Sequence, residues 1–213
     1  MLGVVFGSVA SGQMLSRAGG HYRLQGIIGI IMLAIGVGLL SLMTADISHI
    51  RAVFYIIITG VGLGITMPVF TITVQNAVPH NVLGVATSAT AFFRSIGGSV
   101  GLAIMGSVMN HRFASEIAGG FTGPIKNLIP QEQLEAFVNN PQVLVSPQAQ
   151  AQLRTLFEQF GTQGPALFEQ VLQVLRHALS TAISDVFLVS LGAVIIALVI
   201  QLFIKEIPLR KHN

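Results

Sequence analysis

An all-α fold embedded in a membrane is predicted by three observations. Hydrophobic residues fill 52% of the 213 positions, charged residues only 9%, and the mean hydropathy is +0.76. A water-soluble domain carries about 25% charged residues; this chain has too few to keep such a surface polar. The net charge of +3 therefore bears on orientation in a bilayer. The eleven Lys and Arg are scattered, with no basic run for a phosphate backbone to track. Membrane lipid is the expected partner, and nucleic acid is not. The absence of cysteine excludes disulfides, thiolate metal sites and cysteine nucleophiles.

Apolar segments run at 2–15, 24–43, 53–75, 84–109 and 185–204. Each of the last four is about 20 residues or longer, enough at roughly 1.5 Å per residue to cross a 30 Å hydrocarbon core. The first, LGVVFGSVASGQML, covers only about 21 Å by the same rise. Met1 is followed by no basic region of the kind that opens a signal peptide, so the expectation is a chain that begins inside a helix. The predicted organisation is one partial and three complete membrane helices over 1–109, an extracytoplasmic region over 110–184, a last membrane helix over 185–205 and a cytoplasmic tail over 206–213.

The 110–184 region has different chemistry, being Gln-rich and holding five of the eight acids. Ser146 followed by Pro147 reads as an N-cap and first helical residue. Ala149, Leu153, Leu156, Phe157 and Phe160 follow at helical spacing. Gly161 and Gly164-Pro165 break that helix. A second, beginning near Pro165, then places Leu167, Val171, Leu175, Leu179 and Ala182 along one face, and it can run straight into the last span. The two are expected to close on each other as a helical hairpin outside the bilayer; the rival reading is a helix lying flat in the headgroups, and Gln and Glu rather than Lys on the polar face favour the hairpin. Arg17 and Arg23 in one short loop, with Lys205, Arg210 and Lys211 in the tail, put those ends in the cytoplasm.

GVGLG at 60–64 has the glycine content of a dinucleotide fingerprint, but that motif needs a preceding strand and a helix N-terminus. Inside an apolar run its glycines instead let helices approach closely. Gly97 and Gly101 form a second small-xxx-small pair, with Gly98 beside them. Pro68 removes a backbone N–H in the third span and frees a carbonyl. The six histidines lie singly. No metal set, cofactor site or catalytic constellation is visible, and an enzyme is not expected.

GQMLSRAGGHYR (12–23) resembles the loop motif of the major facilitator superfamily, approximately Gly-x-Leu-x-Asp-Arg-x-Gly-Arg-Arg. Gly12, Arg17 and Gly19 match; Ser16 stands where the acid is expected, and Gly20-His21 replace the basic pair. MPVFTITVQNAVPHNVLGVATSATAFFRSIGGSVGLAIMGSV (67–108) resembles the penultimate helix pair of the fourteen-helix drug:proton antiporter branch, the EmrB/QacA type. That branch also has a long extracellular loop before its last helix. The resemblance implies the C-terminal helical bundle of such a transporter, about five membrane helices with a long extracytoplasmic helical hairpin. It implies multidrug or amphipathic small-molecule efflux by proton antiport, with a small lipophilic or cationic substrate and a missing N-terminal transporter half as partners. Gly12, Arg17, Gly19, Pro68, Arg94, Gly97, Gly98 and Gly101 are then the conformational candidates; Met67, Phe70, Thr71, Gln75 and Phe93 are the cavity candidates. This sequence departs from the family in one respect: no acid lies deep within any span, Asp185 and Glu206 standing at the ends of the last. A non-transporting half-bundle that binds or regulates a partner, and an exporter of one defined metabolite, are the competing readings.

Arg94 is the sharpest anomaly. It sits about 15 Å along its span, where a charge costs roughly 2.5–3.5 kcal/mol. Either its guanidinium snorkels toward the headgroups, or it faces the bundle and bonds carbonyls bared near Pro68 or an acid on the missing half.

Overall fold

The computed structural model describes residues 1–17, 21–44, 47–120, 151, 154–155, 157 and 164–206. Five α-helices carry almost all of them: α1 (Leu2–Arg17), α2 (Tyr22–Ser41), α3 (His49–Ala77), α4 (Leu83–Gly120) and α5 (Gly164–Phe203), with one 3₁₀ turn at His80–Val82. No strand occurs among the described residues, so the all-α expectation holds. Four of the helices are long and apolar enough to cross a membrane, and the shorter α1 is apolar over Leu2–Leu15. Two helices outrun their expected spans. Helix α4 does not stop near 109 but continues to Gly120, and the helix expected from about Pro165 is one with the last span, α5 running unbroken from Gly164. At 38 and 40 residues they measure about 57 and 60 Å, roughly twice the hydrocarbon thickness. Asp185 consequently lies inside α5, not at its start.

The chain divides into two compact units. The first holds α1, α2, α3, α4 up to Met105 and α5 from Phe187. Here α3 packs against both α1 and α2, and the glycines of GVGLG divide the work. Gly60 and Gly64 face α1: a Cβ added at Gly64 would collide with the Val4 carbonyl, and one at Gly60 would lie 3.2 Å from the Val4 nitrogen. Gly3 and Gly7 answer from α1; a Cβ at Gly3 would stand 2.5 Å from the Ile57 carbonyl oxygen. Gly62 turns the other way, onto Leu33 and Gly29 of α2. Pairs of glycines four residues apart on both helices let the backbones touch, which is how helices gain packing energy in lipid.

Pro68 interrupts α3. Lacking an N–H, it leaves the Gly64 carbonyl without its usual helical donor. Ser8 of α1 supplies one, its Oγ donating to Gly64 O at 3.1 Å, and buried Ser11 reaches Ile65 O at 3.5 Å. The small side chains that permit close approach thus also carry the hydroxyl that satisfies the broken helix. Arg23, at the start of α2, donates from Nη2 to the Leu202 carbonyl of α5 at 2.8 Å. A cation there complements the negative end of the α5 dipole.

The second unit runs over Gly106–Val186. Phe113 and Ile117 of α4 form its core with Phe157 and with Val171, Leu175, Ala178 and Ala182 of α5. The expected hairpin partner of 165–182 was the helix at 147–160. Of that segment Ala149, Leu153, Leu156 and Phe160 lie outside the described residues, while Phe157 packs against Phe168 with ring centroids 6.2 Å apart. The turns of α4 beyond Met109 join this core, a contribution the sequence reading did not assign because it ended that helix early. Arg112 pairs with Asp185 at 2.9 Å. Large exposed apolar side chains crowd the first unit, whereas among the described residues of the second there are none.

Candidate functional site: the α3–α4 face

Polar side chains at the level of the membrane spans meet between α3 and α4. Arg94 donates from Nη2 to Thr71 Oγ1 at 3.3 Å, and Gln75 donates from Nε2 to Thr87 Oγ1 at 3.2 Å. Thr71 and Gln75 stand one turn apart on α3, Thr87 and Arg94 two turns apart on α4, so the helices are laced at two levels. Each threonine proton is already spent on its own helix: Thr71 Oγ1 donates to Met67 O at 3.0 Å, and Thr87 Oγ1 to Leu83 O at 2.9 Å. Only the oxygen lone pairs remain for the neighbour, which fixes Arg94 and Gln75 as the donors.

Arg94 does not take the carbonyl that Pro68 bares; Ser8 occupies it. The guanidinium goes instead to the Thr71 hydroxyl, seven residues beyond Gly64 on α3. No Asp or Glu occurs between Asp46 and Glu116, so no acid of these spans neutralises it. Its helix is open over a long stretch: none of residues 83–105 is buried. A Cβ placed at Gly97, Gly98 or Gly101 would meet nothing within 4 Å. Phe93 is 70% exposed and makes an edge contact with its neighbour Phe92 at 5.7 Å. Met67 is 41% exposed; Phe70 is half-buried.

The loop-motif residues fall elsewhere. Gly12 lies within α1 with open space around it. Arg17 ends that helix, and Gly19 lies outside the described residues. The structure therefore joins Thr71 to Arg94 and Gln75 to Thr87, and leaves Gly12 apart from them. Sequence reasoning missed Thr87 and Ser8. The signal for Ser8 was its position between Gly7 and Gly12 on a helix that must pack closely; nothing marked Thr87 among the other threonines.

A second feature is an apolar cleft of about 460 Å³ lined by Met1, Leu40, Val53, Ile57, Thr59 and Leu63 among others. Thr59 donates to the Tyr55 carbonyl at 2.8 Å, so the cleft offers no free hydroxyl proton and suits only an apolar occupant. No cluster of three or more metal-ligating side chains occurs among the described residues.

No family model matches the chain, and no solved structure matches it. Named relatives do. The chain is 30% identical over 211 residues to the multidrug transporter protein MdtP of Bacillus subtilis, covering 98% of this chain and 38% of that protein. It is 24% identical over 214 residues to an uncharacterized MFS-type transporter of Mycobacterium tuberculosis, covering 98% of this chain and 26% of the other. A tetracycline resistance determinant of Streptomyces rimosus is 29% identical over 147 residues, 69% of this chain and 40% of that protein. The chain thus spans about a quarter to two-fifths of the length of the relatives it matches. With four helices able to cross a membrane, this is a multi-pass membrane chain homologous to part of MFS-type multidrug and efflux transporters.

Proposed function

We propose that the chain is the C-terminal part of an efflux transporter of the fourteen-helix drug:proton antiporter type, and that its α3–α4 face lines the route of a small amphipathic substrate. One observation carries the reading: α4, at the level of the spans, buries no residue from 83 to 105 yet holds an arginine, an exposed phenylalanine and open glycines. A helix wholly surrounded by lipid has no use for a charge at that depth, whereas a helix bordering a polar route does. Met67, Phe70, Thr71, Gln75 and Phe93 are the wall of that route. Pro68, Arg94, Gly97, Gly98 and Gly101 are the positions through which it rocks against the remaining helices. Gly12, Arg17 and Gly19 serve at the cytoplasmic end. With no acid in these spans, the proton-carrying groups of an antiporter reside in the remaining portion. A cationic substrate is the weaker fit to this wall, since Arg94 repels it.

The second unit sits outside the cell in this reading. Its support is the absence of large exposed apolar side chains among its described residues, the pattern water imposes. The same open α4 face also suits a half-bundle that binds a partner without transporting. Expression in cells stripped of their own exporters separates the two, with the chain tested alone and beside the portion of an MdtP-type relative that it does not match. Efflux of an uncharged amphipathic dye such as Nile red that needs both pieces and collapses with a protonophore supports the antiporter. Stable association of the pieces with no efflux of any drug favours the half-bundle.

A further inference from the structure

The guanidinium of Arg94 has five N–H donors, and its one hydrogen bond among the described residues goes to the neutral hydroxyl of Thr71. That hydroxyl cannot compensate a positive charge. It holds the guanidinium from one side, leaving the rest of the donor fork free. Arginine meets a carboxylate with two parallel hydrogen bonds, the geometry that makes such pairs both strong and selective. Beside it, Phe93 and Met67 present large apolar surface, and the open glycines on the same helix leave room for a body of some size.

We infer that Arg94, positioned by Thr71, is the anion subsite of a ligand site on this face, and that it takes the carboxylate of an amphipathic small acid whose apolar body rests against Phe93 and Met67. The inference rests on the reading of the face as a substrate route and names the chemical class that the route accepts. A lipid headgroup shares the charge, but the arginine lies about 16 Å along α4 from Leu83, near the middle of a 30 Å core. A free acid can travel to that depth; a phosphate anchored at the interface cannot.

The test uses the full 213-residue chain in nanodiscs of phosphatidylcholine and two matched probes, pyrenebutanoate and the neutral pyrenebutanol, with empty discs subtracted. The carboxylate is expected to bind the unmodified chain about tenfold or more tightly than it binds Arg94→Gln, the range a charged hydrogen bond provides. The alcohol is expected to bind both equally. Arg94→Lys, which keeps the charge and loses the fork, should fall between them for the carboxylate. Equal carboxylate affinity for the unmodified chain and Arg94→Gln overturns the subsite. So does parallel loss of the alcohol, which would make the arginine a prop for the fold. Displacement of the probe by phosphatidylglycerol in the disc as readily as by free octanoate would assign the charge to headgroups and also overturn it. Binding is read here without transport: drug efflux with no carboxylate discrimination would sink the subsite and leave the transporter reading standing.

Discussion

Two glycine arrays in this chain look alike as sequence and differ in what they touch. The array on α3, Gly60, Gly62 and Gly64, is filled on both sides by the backbones of α1 and α2. The array on α4, Gly97, Gly98 and Gly101, meets nothing within 4 Å. Close helix packing in lipid is bought by small residues, so the first array shows what this chain does with glycines that have found a partner. The second has the same composition, an added arginine and open space. The difference is that the α3 glycines hold this bundle together, while those of α4 touch none of its described side chains.

The comparison is broken most easily on α4 itself, where two phenylalanines occupy opposite regimes. Phe113 is 2% exposed and Phe93 is 70% exposed. Phe113→Ala is expected to destabilise the second unit by about 3–5 kcal/mol, seen as rapid proteolysis of its helices while the spans stay inserted. Phe93→Ala should change stability by no more than about 0.5 kcal/mol and act on ligand binding instead. Equal proteolysis of the two variants would mean that α4 is packed alike along its length.

Next comes the glycine pair. Gly64→Val forces side-chain atoms into the α1 backbone and should cost about 1–3 kcal/mol, read as a lower unfolding midpoint of the chain in detergent. Gly97→Val meets open space and should leave that midpoint unchanged. A smaller effect belongs to Ser8→Ala, which strands the Gly64 carbonyl that Pro68 has already deprived of a donor. The expected loss is about 1 kcal/mol, and it should vanish when Pro68→Ala restores the helical N–H. The least is expected of Arg112→Ala: its pair with Asp185 is partly exposed, and solvent-screened pairs contribute about 0.2–1 kcal/mol.

Much of the fold was legible because the bilayer imposes a length and a composition that few other environments impose. The four long spans follow from apolar runs alone. Where α4 ends was not legible, because it remains helical through MNHRFASEIAGG, a stretch whose hydropathy falls while its helical spacing of Phe113 and Ile117 persists. The composition change at 110 predicts the end of a helix, but α4 runs through it to Gly120. At the candidate site, Arg94 stood out as a charge in an apolar run, and Thr71 and Gln75 were flagged. The pairing of those residues was not, since which helices neighbour which depends on packing rather than on any local pattern. Pro68 shows the same limit. Its bared carbonyl was predictable from missing an N–H, while the identity of the group that satisfies it, Ser8 some 56 positions away, required the structure.

If the α4 face borders a polar route while the α1–α3 seam is closed, thiols placed on the two surfaces should differ in reactivity. The chain has no cysteine, so single thiols report on each surface without background. Gly97→Cys and Ser11→Cys place one on the open face and one at a seam position that is 1% exposed. Both are treated, in membranes of intact cells, with a water-soluble methanethiosulfonate that does not react with thiols immersed in hydrocarbon. Rapid modification is expected at residue 97, slowed by octanoate, and none at residue 11. An unreactive thiol at 97, or equal reaction at both positions, would contradict the polar route.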